Sequence, residues 1–509
     1  MPAQLTTRAQ VNGYRFLLRR LDHALMRRDV RMLHDPMRAQ FRSLISGAVL
    51  AVLVVAGAAI MAFIRPQGSI GDANIVMGKD SGALYAVVRD KNDKTKLTMY
   101  PALNLASARL ITGTSESPKS IKDSKLDSVP RGPLRGIPGA PASLPGTGQG
   151  DRAQWTLCDA VQLSASGGAA SSAGAVTTVI SGGLELSDRM KKSDPATAVF
   201  AHKVDGNGVD HTYLIYDGKR AEFNLQSDGM MQSLDLTGKR PRPISTDLVD
   251  AAIKVPPLVA PTIPHAGDAG PGRLSSVPVG GVIQVSALNG SDRSHLYVVL
   301  ADGIQSISEF TTEVIRAANS QNMADIRSVT PDMLSGIPNV HSLPVDDFPS
   351  VAPKIITAED NPVACITWAK NSAVGKEQAD AAEGPADRAS VQLLVGTRLP
   401  LRDSQTPVAL ATADGPTGDR IDAVFVPPST GEFVRTTGIE PGSPRRENLF
   451  YIADNGIRYG IPDLATAQVL GLGTAPRLAP WEIVGQLVPG PTLSAQDALT
   501  IRDTLPTGQ

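Results

Sequence analysis

Residues 43–64 read SLISGAVLAVLVVAGAAIMAFI, and no charged residue, Asn, Gln, His or Pro interrupts them between Arg42 and Arg65. At 1.5 Å per residue these 22 residues make roughly 33 Å of helix, enough to cross a hydrocarbon core of about 30 Å. The stretch therefore predicts one membrane span. A buried core helix would be shorter and keep a polar edge. A cleaved signal peptide is excluded because 42 residues precede the segment and Arg-Pro-Gln-Gly follows it, in place of a small-residue cleavage site. Nine arginines (8, 15, 19, 20, 27, 28, 31, 38, 42) stand against three aspartates (22, 29, 35) before the span, which places the N-terminus in the cytoplasm and everything after Arg65 outside.

The arm before the span carries its own pattern. Thr7 and Gln10 fit a capping box, and Val11, Tyr14, Leu18, Leu21 and Leu25 then recur at alternating steps of three and four, one apolar seam on a helix. Arginines crowd the rest of the surface, so the helix suits either anionic lipid or a partner's groove; the tight leucine seam favours the groove. Asp35 and Pro36 read as N-cap and first residue of a second helix running into the membrane. Gly47 with Ala51, and Ala58 with Ala62, would let a neighbouring helix approach closely.

Beyond the span, 40 basic and 47 acidic residues leave a net charge of −7, which excludes a nucleic-acid binder with its basic footprint. That length exceeds one typical domain, and 47 Gly with 39 Pro in the whole chain imply many turns. Cys158 and Cys365 are the only cysteines; both fall on the exported, oxidising side, where a disulfide is expected, two buried free thiols being the alternative. Neither sits in the CxxC spacing of a redox or metal site.

Four stretches share an apolar residue, a Tyr, a β-prone run and a second run: ALYAVVRD at Tyr85, TYLIYDG at Tyr213, LYVVLADG at Tyr297 and LFYIADNG at Tyr451. Asp-Gly and Asn-Gly turns make the last three hairpins, while the first carries an inserted KNDKTK loop. Leu134-Arg-Gly-Ile-Pro138 recurs as Leu334-Ser-Gly-Ile-Pro338. Helices are expected at 309–320 and 462–473, and the Pro clusters at 130–145 and 255–264 read as extended surface crossings. The spacing is uneven, so other structure, a central core, is inserted between small α/β modules. The Gly/Ser/Ala stretch 164–183 fits either a linker or a tightly packed core element.

Common catalytic signatures are missing. The four Gly-Lys pairs are followed by Asp80, Arg220, Arg240 and Glu377, not by the Ser or Thr of a Walker A loop. No Gly-x-Ser-x-Gly, His-Glu-x-x-His or EF-hand loop occurs, and the seven histidines are scattered singly. Asp346-Asp347 and Glu359/Asp360 read as solvated loops. The sequence names no catalytic residue, metal site or cofactor.

TRAQVNGYRFLLRRLDHALMRRDVRM (7–32), the span, DSGALY (80–85), YPALNLASARLI (100–111) and PRGPLRGIPGAP (130–141) together resemble the EccB component of mycobacterial type VII (ESX) secretion systems, in order along the chain. The resemblance implies a single-pass inner-membrane protein with an amphipathic cytoplasmic helix and a large elongated α+β periplasmic region. Four repeat modules would surround a β-containing core stapled by one disulfide, here Cys158–Cys365. The expected divisions are arm 1–42, span 43–64, modules 65–150, 205–267, 290–350 and 431–495, core segments 151–204 and 355–430, and tail 496–509. Implied partners are EccC, EccD and EccE, other EccB copies through the periplasmic region, and the mycosin protease peripherally. The implied role is structural. The family's ATPase label, which would make ATP a cofactor, is the alternative, and the missing P-loop argues against it.

Overall fold

The structure, a computed structural model, describes residues 6–28, 36–64, 70–90, 92–93, 96–146, 152–162, 174–286, 294–371, 388–415 and 420–502. Asp35, Arg65, residues 164–173 and residues 503–509 of the expected tail lie outside the described residues. The chain divides into two compact units, Met1–Gly71 and Asp72–Gln509.

Among its described residues the first unit holds two helices. Helix α1 (Arg8–Arg27) opens with the Gln10 side chain accepting from Thr7 N–H at 3.0 Å, and closes with Arg28 in the left-handed region at φ 56°. Helix α2 (Pro36–Ile64) includes Phe41–Met61, long and apolar enough by length and composition to cross a membrane, with none of that stretch buried.

Among the described residues the second unit contains five sheets. Four are built alike. In the first, strands Ile75–Gly78, Leu84–Arg89, Leu97–Pro101 and Lys119–Ile121 lie in the spatial order third, second, first, fourth, and the fourth runs parallel to the first. The same order holds for Thr197–Val204, Asp210–Tyr216, Lys219–Glu222 and Arg242–Pro243. It holds again for Val282–Ser286, Ser294–Leu300, Gly303–Ile307 and Arg327–Val329, and for Gly431–Thr437, Leu449–Ala453, Ile457–Ile461 and Arg477–Pro480. A helix bridges third and fourth strands each time, at Leu105–Thr112, Asp228–Ser233, Glu309–Ala318 and Leu464–Val469. Asn104, Ser308 and Asp463 cap three of these helices by accepting from the backbone N–H three residues on.

The strand that opens each sheet was not visible in the hairpin pattern, and this moves two expected boundaries. Strand Thr197–Val204, placed in the core segment 151–204, pairs from Val199 to Val204 with Asp210–Tyr216, and Val282–Ser286 precedes the expected start at 290. Lys354–Ile356 also joins the second sheet. The third hairpin turns one residue earlier than its Asp-Gly implies: Leu300 pairs with Gly303, so Ala301 and Asp302 form the loop. Gly303 is needed there for a close approach, because a Cβ would stand 2.4 Å from the Pro338 carbonyl oxygen. Asp217 and Gly218 do form a two-residue turn with both φ positive, 46° and 71°.

The Pro-rich segments close the sheets. Each returns parallel to the third strand of its own sheet, at Ala102 with Arg135, Lys219 with Ile253, Ile304 with Asn339 and Ile457 with Val488. They cover an edge that would otherwise offer unpaired N–H and C=O groups, and proline keeps that pairing to one or two residues.

The fifth sheet is central, in the order Val408–Ala409, Ala423–Phe425, Ala175–Ser181, Arg152–Val161, Val363–Asn371, Ser390–Gly396, Met190–Lys192. Its two middle strands come from either side of the second and third sheets in the chain. Trp155 and Trp368 face each other across them and are buried in the largest apolar cluster, together with Leu248 and Val249 of the second sheet's flank and Ile483 and Val484 of the fourth's.

Candidate functional site

Two places concentrate features that packing alone does not require: the surface of α1 and the stapled middle of the central sheet.

On α1 the five seam residues are exposed, Val11 at 40%, Tyr14 at 65%, Leu18 at 46%, Leu21 at 61% and Leu25 at 73%. Phe16 and Leu17, which the three-and-four spacing passed over, are exposed as well. The row is an apolar patch that nothing in its own unit covers.

In the central sheet Cys158 lies directly opposite Cys365, and their sulfurs are bonded. Thr156 and Thr367 pair on the same face two residues away, with Thr156 Oγ1 donating to Thr367 Oγ1 at 2.8 Å. Met190, Ile180, Leu394 and Phe425 bury the disulfide. On the opposite face sits Asp159, 1% exposed, which accepts from Ser245 N–H at 2.7 Å, Ser245 Oγ at 2.8 Å and Thr177 Oγ1 at 3.1 Å. Burial raises its pKa, and the hydrogen bonds and the Arg242 charge oppose that rise without cancelling it. Arg242 is 3% exposed; it donates to the carbonyls of Asn361 and Pro362, and burial pulls its pKa down to about 10. No local motif announces this cluster, because Asp159, Thr177, Arg242 and Ser245 come from separate strands and loops.

The first and fourth sheets meet in a shared core of Ala106, Leu110, Phe433, Leu449, Tyr451 and Leu470. Arg109 donates to the Leu470 carbonyl at 2.6 Å, and Arg502 N–H to the Leu134 carbonyl at 2.8 Å. Second and third meet through Phe310 and Val314 against Phe200, Tyr216 and Met230. Asp347 joins this contact: its carboxylate is 3.0 Å from Lys219 Nζ, and its carbonyl accepts from Tyr216.

The histidines are less isolated than their spacing implies. His211 Nδ1 is 2.8 Å from Glu222 and its Nε2 is 3.5 Å from Asp205; the Glu222 hydrogen bond, with Asp205 second among the attractions, raises its pKa. The charged imidazole therefore ties the 205–209 turn to the neighbouring strand. That tie is complete below the unfolded value of about 6.5 and is lost as pH rises through the higher folded value. Protection factors of amides 207–209, which divide out the intrinsic pH dependence of exchange, are expected to be higher at pH 5.5 than at pH 8.5, and His211→Gln to remove that difference; a difference in protection that persists in the variant would refute the assignment.

Among the described residues no group of three or more His, Cys, Asp and Glu is placed to hold a metal ion. A cleft of about 960 Å³ between the second and third sheets is lined by Glu309, Glu313, Gln232, Gln284 and Arg316. Arg316 donates to the Ala324 carbonyl at 2.7 Å, and His295 also lines the cleft.

Comparisons with known proteins agree across nearly the whole chain. A family described as "Type VII secretion system ESX-1, transport TM domain B" matches residues 3–507. The chain is 37% identical over 508 residues to the ESX-3 secretion system ATPase EccB3 of Mycolicibacterium smegmatis, covering 98% of this chain and 92% of that one. It is 34% identical over 510 residues to the ESX-5 secretion system ATPase EccB5 of Mycobacterium tuberculosis, covering 99% and 94%. Among solved structures, a chain of an intact ESX-5 inner membrane complex superposes with a TM-score of 0.69 at 31% identity, covering 100% of this chain and 98% of that one. A chain of an EccB3 dimer from the ESX-3 core complex gives 0.68 at 33%, covering 84% and 100%.

Proposed function

Given that the chain belongs to the EccB family and is a structural component of a type VII secretion complex of the inner membrane, we propose that it works as a transmembrane coupling subunit. In this reading α1 is cytoplasmic and docks through its seam in a groove of EccC, EccD or EccE. The apolar stretch of α2 spans the membrane. The unit beyond it is periplasmic, a set of four copies of one module around the stapled sheet, and associates with other copies of the chain; mycosin is a peripheral contact. The similarity to a chain of an EccB3 dimer supports self-association. The repeated strand order of four sheets supports the modular division. The arginine excess before the span supports the orientation.

The observation that carries the docking reading is the exposed seam. Leu18→Glu with Leu21→Glu places two charges in it, so the variant is expected to lose the cytoplasmic subunits on purification in mild detergent while residues 72–502 keep their thermal transition. Undiminished co-purification would sink the reading. Relatives bear ATPase in their names; ATP hydrolysis by the purified chain that a single point substitution abolishes would overturn the purely structural view.

A further inference from the structure

The second unit repeats one arrangement twice along its chain. Residues 72–258 run from the first sheet through the central strands Arg152–Val161, Ala175–Ser181 and Met190–Lys192 to the second sheet. Residues 267–502 run from the third sheet through Val363–Asn371, Ser390–Gly396, Val408–Ala409 and Ala423–Phe425 to the fourth.

The main contacts cross between these halves. The first sheet shares its core with the fourth and the second with the third, and among the described residues no apolar cluster joins first to second or third to fourth. In the central sheet Arg152–Val161 pairs with Val363–Asn371, Ala175–Ser181 with Ala423–Phe425, and Met190–Lys192 with Ser390–Gly396, each time one strand from either half. The crossing is reciprocal. The chain leaving the third sheet, at Lys354–Ile356, pairs with the opening strand of the second, and the chain leaving the first offers its Gly146 carbonyl to the N–H of Gly431, which opens the fourth, at 3.0 Å.

From this reciprocity we infer that the unit is two interlocking halves fused in one chain, each half being the other's folding partner and neither a domain by itself. Alone, the first half would uncover apolar side chains such as Leu110, Trp155 and Met230 that the other half helps to bury, and would leave nine residues of Arg152–Val161 with an open edge. Two sequential domains, first with second sheet and third with fourth, would instead bury such residues within each half. The join between halves is slight: Leu258 N–H bonds the Glu222 carbonyl on one side, Gly267 N–H bonds the Val279 carbonyl on the other, and Val259 between them is 57% exposed. That peptide link is therefore dispensable once the unit has folded, and Cys158–Cys365 is a second covalent link across the same two halves.

The test uses the full chain with a protease site inserted between Val259 and Ala260, cut after folding. The cut unit is expected to remain one particle on gel filtration, and under denaturing conditions to run as one band without reductant and as two with it. In the Cys158→Ala/Cys365→Ala background the cut chain should still be one particle, and its urea midpoint should rise with protein concentration by about 0.5 M per tenfold, because tenfold in a two-partner equilibrium is about 1.4 kcal/mol and the slope about 3 kcal/mol/M. The uncut chain's midpoint should not move. Two folded pieces that separate, or two transitions independent of concentration, would overturn the inference. A second measurement needs no cut. Leu449→Ala in the fourth sheet should raise amide exchange in Leu105–Thr112, in the other half, before it does so in Gly303–Ile307, in its own. The reverse order would overturn the inference as well.

Discussion

Replacing both Cys158 and Cys365 by alanine is expected to lower the stability of the unit beyond the span by about 2–5 kcal/mol, read as a fall in the urea midpoint together with a steeper slope, because the unfolded chain freed of its cross-link exposes more surface. The bond joins positions 207 residues apart, so in the unfolded chain it closes a loop holding the second and third sheets. Chain-entropy reasoning puts the benefit of such a closure on the order of 5 kcal/mol at most. The middle strands remain paired through nine residues, from Arg152 with Asn371 to Ala160 with Val363, and Trp155 and Trp368 stay buried. The variant should therefore fold and unfold sooner. Alanine is the right replacement because serine would bury a hydroxyl among Met190, Ile180 and Phe425. A midpoint equal to wild type under oxidising conditions would show that the bond does not stabilise the fold.

How far the fold was legible depended on whether a feature is local. The span, the α1 seam and its cap, and the Tyr213 and Tyr451 hairpins are written in neighbouring residues, and spacing or turn chemistry exposes them. Gly456, with φ of 80° after Asp454-Asn455, is a local signal of that kind. Most of what escaped is set by distant partners. The opening strand Thr197–Val204 does have a turn signal after it, Asp205-Gly-Asn-Gly208, which the Tyr-led pattern passed over, whereas its pairing with Lys354–Ile356 depends on a distant partner. Gly303 looked like a turn residue, yet its smallness answers the Pro338 carbonyl, which approaches from 35 positions away in the chain. In the Gly/Ser/Ala stretch, Ala175–Ser181 is a central strand, and its β-branched run TTVI carries that outcome better than composition does. The docking surface was legible as a seam.

The buried ionic cluster leads to the other large effect. Asp159→Ala is expected to cost about 3–5 kcal/mol, because it leaves buried donors unmade and removes a carboxylate that, with Glu359, offsets the burial of the Arg242 charge. Three donors converge on Asp159, two of them from Ser245, and Ser245 Oγ also accepts from Leu248 N–H at 3.0 Å to cap the Thr246–Ala251 helix. Losing the carboxylate therefore loosens both the cap and the contact of Leu248 and Val249 with Trp155 and Trp368 across the central sheet. Asp159→Asn keeps the volume and one acceptor, so its cost should be smaller. Arg242→Met removes the other charge while filling similar space, and the double variant Asp159→Ala/Arg242→Met should be less destabilised than the two single effects summed. Additivity within about 0.5 kcal/mol would mean that the two charges do not act as a pair. The distribution of the damage is a second readout. Amide exchange should rise first in residues 152–161 and 242–251, because the cluster joins the second sheet to the central one. The shared core of the first and fourth sheets, which touches none of these residues, should keep its protection.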